Sequence, residues 1–284
     1  MKVLYWLASR FIAGHDFDSA KPKIKELIDA GYQVSVDYLG ELSKTEKDCI
    51  AAKEQYIEII EYYKDEKIDI SIKPSQLGLL ISAVSCQKHL SQIAKLAKRY
   101  GHTVRLDMED SRVTELTKGL AVYLNNKFGN VGVAIQANLH RTKQDLKYLL
   151  DNEVSVRLVK GAYKESSDIS IKSTKGIKSA FFNYAKMLLN NEPNRPAIGT
   201  HDKALLKQIR EITPSKFFDY EFLYGIRRDI QKQLKNKDEN VRIYVPFGED
   251  WFPYVIRRLK EWKNLKFVFI NVIKELFSPR SSIG

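Results

Sequence analysis

The chain alternates short β-branched runs with segments whose apolar residues recur at helical spacing. This alternation constrains the fold more than any other feature, because strands that alternate with helices form a parallel sheet. The eight predicted strands are Tyr32–Leu39, Ile68–Lys73, Val104–Asp107, Val131–Leu139, Val154–Tyr163, Ala197–Asp202, Phe217–Tyr224 and Val241–Phe247.

Each predicted strand is followed by a predicted helix, and one further helix precedes the first strand. The helices are Ser19–Ala30, 44–64, His89–Tyr100, Val113–Phe128, Gln144–Leu150, Ser179–Leu189, Ala204–Ile212, Ile226–Leu234 and Trp251–Trp262. Eight strand–helix units fit an α/β fold of the closed (β/α)8 type, the TIM barrel, for which about 250 residues is typical. A doubly wound open sheet is the alternative, but it usually carries a G-x-G-x-x-G turn when it binds dinucleotides, and this sequence has none.

No composition shift or low-complexity stretch divides the chain. We therefore predict a single barrel domain over residues 19–277, with an N-terminal appendage at residues 1–18 and a C-terminal tail at residues 278–284. The apolar stretch Val3–Ala8 is too short for a signal peptide, and no run approaches the ~18 apolar residues of a membrane helix. Together with only two cysteines in no metal or redox spacing, this predicts a cytoplasmic protein.

The chain is basic, with 47 Lys and Arg against 35 Asp and Glu and a formal net charge of +12. Such an excess can indicate nucleic acid or an anionic membrane surface as the partner. Lysines are spread over nearly every predicted helix, and no nucleic-acid-binding motif accompanies them. We interpret the excess as solvated helix faces and expect no nucleic-acid partner. The five histidines form no His-x-x-x-His pair, so we expect no metal site.

In barrels of this type the active site lies at the carboxyl ends of the strands. Nearly every predicted strand delivers a polar or ionisable residue to that edge, which a random placement would not do. The residues at these ends are Glu41, Lys73, Asp107, Gln136, Arg157, Lys160, Gly161, Ala162, Tyr163, Thr200, His201, Leu223 and Tyr244. The sequence therefore predicts a polar site at one rim of the barrel.

Two sets of cations suggest what this site binds. Arg157 and Lys160 fall on a predicted buried strand, where their charges need either an anionic ligand or an internal ion pair. Arg257 and Arg258 follow Tyr254 on the last helix, and guanidinium groups match carboxylate and phosphate oxygens. Ordinary surface ion pairs with Glu261 are the alternative for these two arginines.

Several long motifs in this chain resemble those of the proline dehydrogenase family, flavoenzymes that oxidise L-proline to Δ1-pyrroline-5-carboxylate. The resemblance runs in order from about Arg10 to Phe277. The motifs are I-S-I-K-P-S-Q-L-G (70–78), V-R-L-D-M-E (104–109), V-A-I-Q-A (133–137), V-R-L-V-K-G-A-Y-K-E (156–165), G-T-H-D (199–202), F-L-Y-G-I-R-R-D (222–229), Y-V-P-F-G (244–248) and Y-V-I-R-R-L (254–259).

The resemblance implies a substrate site. Arg257 and Arg258 with Lys73 would bind the proline carboxylate, and Glu41 of a Leu-Gly-Glu motif would pair with Arg257 as a closing gate. Asp107 matches an acidic residue that is either catalytic or organises the cations. Four residues are similar to those that surround the pyrrolidine ring: Tyr163, Leu223, Tyr244 and Tyr254.

The resemblance also implies FAD as the cofactor, hydride transfer from proline to its N5 atom, and a membrane quinone as the electron acceptor. Gln136 and Arg157 are similar to side chains beside the flavin ring, and Arg157 would also be catalytic through its charge. Further matches to cofactor contacts are Met108, Lys160, Gly161, Ala162, Thr200, His201 and Glu261. A basic chain that passes electrons to a quinone would associate peripherally with the inner face of a bacterial membrane.

Two other functions remain open on the residues alone. A lyase or aldolase of the same barrel class would use Lys160 or Lys73 as a Schiff-base amine. A basic binding protein without catalysis would show salt-sensitive binding to nucleic acid or lipid.

Overall fold

The computed structural model describes residues 8–190, 195–212 and 217–262, with side chains up to residue 258. Its strands are β1 Gln33–Tyr38, β2 Asp69–Ile72, β3 Thr103–Leu106, β4 Val131–Gln136, β5 Val156–Val159, β6 Ala197–Gly199, β7 Asp219–Leu223 and β8 Val241–Phe247. Its helices are α1 Phe17–Asp29, α2 Glu46–Tyr62, α3 Ala83–Arg99, α4 Thr114–Phe128, α5 Thr142–Asp151, α6 Thr174–Leu189, α7 Lys203–Arg210, α8 Arg228–Lys235 and α9 Trp251–Trp262. A short 3-10 helix, Pro74–Leu77, follows β2.

The strands form one closed barrel in sequence order, and each pairs in parallel with its neighbours. The barrel closes where β1 pairs with β8, with Gln33 opposite Arg242. The predicted single-domain (β/α)8 fold is confirmed, and the open doubly wound sheet is excluded. The limits predicted at residues 18/19 and 277/278 stay a prediction.

The barrel interior is polar, whereas TIM barrels usually fill it with branched apolar side chains. Arg157 on β5 donates hydrogen bonds to Ser35 on β1 and to Asp69 and Ser71 on β2, which lie across the barrel. Alternate strand residues point the other way, as the two-residue period requires. Among these, Val34 and Leu158 are buried in the core between the strands and the helices.

Several element boundaries differ from the sequence prediction, and the largest differences are at β5, at α3 and at α6, which begins at Thr174 rather than at Ser179. The predicted strand Val154–Tyr163 contains only four strand residues, Val156–Val159, because Gly161 takes a positive φ of 111° that breaks the ladder. Helix α3 begins at Ala83 rather than at His89, because the Ser82 hydroxyl accepts a hydrogen bond from the Ser85 N–H and caps the helix there.

The segment before α1 crosses the carboxyl-end rim of the barrel. Ala13 N–H donates to the Pro246 carbonyl at 2.8 Å, and a side chain at Gly225 would collide with the Arg10 carbonyl. The segment contributes to a second hydrophobic cluster, which we call the rim cluster. It consists of Ala8, Phe11, Ile12, Leu39, Ile226, Tyr254 and Val255. Helix α9 therefore rests on the N-terminal segment and the strand-end loops.

Within the described residues, neither a membrane span nor a metal cluster is present. No described helix is both long enough and apolar enough to cross a bilayer. No group of three or more His, Cys, Asp or Glu side chains converges in this part of the chain. Cys49 and Cys86 are buried free thiols that form no disulfide bond.

Candidate active site

Arg157 lies at the centre of a buried ionic network inside the barrel. Its Nε donates to Glu221 Oε2 at 2.7 Å and its Nη1 to Asp107 Oδ1 at 2.7 Å. Its Nη2 lies 3.2 Å from Asp69 Oδ2. Burial lowers the pKa of Arg157, but the three carboxylates raise it by more than burial lowers it. The net pKa is therefore raised, and the guanidinium stays charged. Of the two readings the sequence left open for Arg157, the ion pair is present.

Asp107 follows β3 and gathers three partners. Besides Arg157, it accepts a hydrogen bond from the Tyr244 hydroxyl at 2.6 Å, and Lys73 Nζ lies 3.8 Å from Oδ2. Burial raises the pKa of Asp107, while Arg157 and Lys73 oppose that shift. On balance the pKa of Asp107 is raised, and two cations and a hydroxyl hold the carboxyl group in place.

Lys73 follows β2 and is buried against Asp37 of β1. Its Nζ lies 2.8 and 3.0 Å from the two Asp37 oxygens. Burial lowers the pKa of Lys73, but Asp37 and Asp107 outweigh that effect, so its net pKa is raised. A protonated, paired ammonium cannot attack a carbonyl, which argues against Lys73 as a Schiff-base amine.

Arg257 on α9 forms an ion pair with Glu41, which follows β1. Burial lowers the pKa of Arg257, but Glu41 and Tyr163 raise it above its usual value. Glu41 also raises the pKa of Lys73, so its carboxylate is near both cations. Arg258 lies over the Tyr254 ring, 5.3 Å from its centre. The alternative, in which Arg257 and Arg258 form surface ion pairs with Glu261, is not tested, because the Glu261 side chain lies outside the described residues.

Gln136 ties the end of β4 to the loops that follow β3 and β5. Its Nε2 donates to the Glu109 carbonyl at 2.9 Å, and its Oε1 accepts from the Ala162 N–H at 3.2 Å. Gly161 lies against Asn138, whose amide oxygen is buried without a hydrogen-bond partner among the described residues. This rim therefore presents a buried acceptor to whatever binds there.

The end of β6 carries Thr200, His201 and Asp202. His201 Nε2 accepts a hydrogen bond from the Leu223 N–H at 3.0 Å, so the neutral ring carries its proton on Nδ1. Burial, with Arg258 and Lys160 nearby, lowers the pKa of His201 to about 3. Asp202 lies 3.1 Å from Lys160 and caps α7. Lys160, like Arg157, is therefore held in an ion pair.

The structure brings most of the predicted residues to one end of the barrel, but at two depths. Arg157 and Tyr244 lie inside the strands, below the rim on which the sequence placed them. Met108 is buried beside Asp107 in the main core. The residues on or above the rim are Glu41, Lys73, Gln136, Lys160, Gly161, Ala162, Tyr163, Thr200, His201, Leu223, Tyr254, Arg257 and Arg258.

Three carboxylates that organise the site were missed from the sequence, namely Asp37, Asp69 and Glu221. All are buried, and each pairs with Lys73 or Arg157. The available signal was an acidic residue within a predicted buried strand, which requires a buried cation as its partner.

A family model, curated relatives and solved structures all match this chain to the same family. The proline dehydrogenase family model matches residues 20–268. Proline dehydrogenase 1 of Bacillus subtilis subsp. natto is 34% identical over 276 residues, which cover 94% of this chain and 91% of that protein. Proline dehydrogenase of Deinococcus radiodurans is 30% identical over 283 residues, with 94% and 90% covered.

Among solved structures, proline utilization A (PutA) from Bdellovibrio bacteriovorus, inactivated by N-propargylglycine, superposes with a TM-score of 0.84 and 25% identity. The match covers 92% of this chain and 33% of that protein, so this chain spans about a third of that relative. The family match extends over most of the barrel and includes every motif that resembled the family in sequence. The chain belongs to the proline dehydrogenase family.

Proposed function

We propose that this chain is an FAD-dependent proline dehydrogenase that oxidises L-proline to Δ1-pyrroline-5-carboxylate in proline catabolism. One observation carries the proposal. Two cations, Arg257 paired with Glu41 and Lys73 paired with Asp37, lie at the same end of the barrel, where their charges can attract an anion. A free amino acid with a carboxylate and a small apolar ring fits such a position, because Tyr244, Tyr254 and Leu223 border the same end of the barrel.

In this proposal Glu41 and Arg257 act as a gate. The ion pair joins the loop after β1 to α9, the helix that follows the neighbouring strand β8. Substrate enters when the pair opens, and its carboxylate binds Arg257, Arg258 and Lys73. Closure of the pair then excludes water and holds the ring in one orientation.

The residues beneath the entrance fit a flavin. Arg157 Nη1 donates one hydrogen to Asp107 and carries a second, and the buried Asn138 oxygen can accept from an N–H. Arg157 and Gln136 would hold the flavin ring, and Lys160, Gly161, Ala162, Thr200 and His201 its remaining parts, with Met108 and Glu261 as further contacts. When bound, the cofactor supplies the hydride acceptor at N5.

Asp107 and Tyr244 keep the reacting region in order. Asp107 fixes Arg157 and approaches Lys73, so one carboxylate sets the relative positions of the cofactor-side and substrate-side cations. Tyr244 donates to that carboxylate, and its ring lies 5.1 Å from the Arg157 guanidinium. Proline must reach this region as a neutral amine, because a protonated nitrogen cannot assist loss of hydride.

The test is an absorption spectrum of the purified protein before and after anaerobic addition of L-proline. A flavin band that bleaches with proline supports cofactor, substrate and reaction together. A colourless protein that takes up no FAD, and in which borohydride traps a carbonyl substrate on Lys160 by reducing the Schiff base, would instead support the lyase alternative.

We also propose that electrons pass to a membrane quinone while the protein associates peripherally with an anionic membrane from the cytoplasmic side. Leu80, Ile81 and Val84 follow the carboxyl end of β2 and are 53%, 45% and 81% exposed. Exposed Lys88 lies four residues after Val84. Apolar side chains beside lysines are typical of surfaces that bind anionic lipid.

Flotation with anionic vesicles tests this association. Replacing Leu80 and Val84 by serine should reduce flotation, whereas serine at Leu116, which is 49% exposed on α4, should not. Equal flotation of all variants would contradict the assignment of this surface. A comparison of turnover with a soluble quinone and with oxygen tests the acceptor separately.

A further inference from the structure

Glu221 is a buried carboxylate whose described hydrogen bond goes to Arg157. It is the third residue of β7, is 3% exposed, and accepts from Arg157 Nε at 2.7 Å. Its other oxygen, Oε1, is buried and has no hydrogen-bond partner among the described residues. A buried carboxylate with one oxygen lacking a hydrogen bond is costly to the stability of the fold.

The three carboxylates around Arg157 differ in how many other groups they interact with besides Arg157. Asp107 also lies near the Lys73 ammonium and accepts a hydrogen bond from the Tyr244 hydroxyl. Asp69 accepts hydrogen bonds from Ser35, Thr103 and Arg105 as well. Glu221 makes no such additional hydrogen bond among the described residues. Its negative charge is therefore the one most directly opposed to that of Arg157.

Glu221 also fixes the direction of the guanidinium. It holds Nε, Asp69 holds Nη2, and Asp107 holds Nη1. Asp107 follows β3 at the carboxyl end, while Glu221 and Asp69 lie within their strands. With Nε and Nη2 bound inside the strands, Nη1 is directed toward the entrance.

We propose that Glu221 is a positioning residue that aims Arg157 at the entrance of the barrel and offsets part of its positive charge, and so sets the reduction potential of the flavin bound there. This rests on the proposed FAD-dependent function. Because a reduced flavin is anionic, a larger positive charge at the entrance stabilises it relative to the oxidised form. Removing the Glu221 charge while keeping its shape should therefore favour reduction.

The experiment is a spectroelectrochemical titration of the bound flavin in the wild type and in Glu221→Gln. A glutamine oxygen can still accept from Arg157 Nε, so position is kept and charge is lost. We expect the ratio of reduced to oxidised flavin at a given potential to rise about tenfold, ~30 mV for a two-electron couple. An unchanged potential would overturn the proposal.

Asp219→Asn provides a matched control. Asp219 lies two residues earlier on β7, is equally buried, and pairs with Arg195 and Arg242 instead of Arg157. The Asp219→Asn variant also removes one negative charge from β7. An equal shift of the reduction potential in this variant would show a general charge effect and contradict the proposal. Glu221→Asp retains the charge at a shorter reach, and we expect it to lower kcat while the potential stays near that of the wild type.

A second readout needs no cofactor. With Glu221 neutral, more of the Arg157 charge acts on Asp107, so carboxyl 13C NMR of flavin-free protein should show Asp107 titrating at lower pH in Glu221→Gln. The Asp107 signal is assigned by its loss in Asp107→Asn. No movement of this titration would count against the coupling even if the wild type binds no flavin. A wild type that binds no flavin but shows the NMR shift would contradict the proposed function and the setting of a flavin potential, and leave only the coupling to Asp107.

Discussion

The Tyr244 hydroxyl donates a 2.6 Å hydrogen bond to Asp107 Oδ2 and so joins the middle of β8 to the end of β3. The other oxygen, Oδ1, accepts from Arg157. Both oxygens of a buried carboxylate are thereby used, which stabilises its anion against the rise in pKa that burial causes. The state of Asp107 therefore depends on Tyr244 as well as on the two cations.

Replacing Tyr244 by phenylalanine should shift the acid limb of the kcat/KM profile to higher pH. The hydrogen bond favours ionised Asp107, so its loss raises the Asp107 pKa. A hydrogen bond to a charged group contributes ~1.5–3 kcal/mol, which corresponds to about one pH unit or more. Tyr220→Phe is the control, because the buried Tyr220 hydroxyl has no hydrogen-bond partner among the described residues. Identical shifts in both variants would contradict the assignment.

The Glu41–Arg257 pair should affect substrate binding more than the chemical step. Arg257→Met removes a side chain proposed to bind the proline carboxylate. A loss of about 1.4 kcal/mol of binding free energy corresponds to a tenfold change, so we expect the KM for proline to rise at least tenfold. Glu41→Gln keeps the arginine and weakens closure, so a smaller rise is expected. Arg112→Met removes an exposed arginine paired with Asp110 and should leave KM unchanged. A fall in kcat at constant KM would exclude the gate.

His201 should make the protein less stable as the pH falls. Its pKa is lowered to about 3, so below about pH 6.5 the unfolded chain binds a proton that the folded protein does not. The free energy of unfolding therefore decreases between about pH 6.5 and 3, by at most about 1.4 kcal/mol per pH unit. Urea titrations at several pH values should show a shallower decrease in His201→Gln. Parallel curves for the two proteins would contradict a neutral His201.

The rim cluster should link the N-terminal segment to substrate binding. Phe11→Ala leaves a cavity beneath α9, costs ~3–5 kcal/mol of stability, and loosens the helix that carries Arg257. We expect a raised KM for proline as well as a lower melting temperature. Phe181→Ala opens a comparable cavity in the main core behind α6 and should lower only the melting temperature. Equal KM values in the two variants would contradict an effect of the N-terminal segment on substrate binding.

The fold was predictable because its signal is local. Periods of 2 and 3.6 in apolar residues mark strands and helices without knowledge of tertiary contacts. The end of β5 was placed too late, since apolar residues continue after Gly161 at Ala162 and Tyr163, whereas the strand ends at Val159, before the positive φ of Gly161. The N-terminal limit of α3 was missed because the residues after Ser82 carry little periodic signal.

The site was predictable in part. Strand ends pointed to Lys73, Asp107 and Tyr244, and the structure joins them. Their organising carboxylates were missed because a partner contact spans a large separation in sequence, 36 residues for Lys73 with Asp37 and 64 for Arg157 with Glu221. A single sequence shows that a buried charge needs a partner, but it does not show which one.

The seam at which β1 meets β8 has a consequence for biosynthesis. Gln33 and Arg242, which hydrogen-bond across it, are separated by 209 residues. A ribosome must therefore make more than two hundred further residues before the edge of β1 finds its partner, and that edge is exposed to other nascent chains in the meantime. Such distant pairing slows folding. The barrel closes only after β8 has emerged, so the edge of β1 stays open to wrong pairing throughout the synthesis of the strands between them.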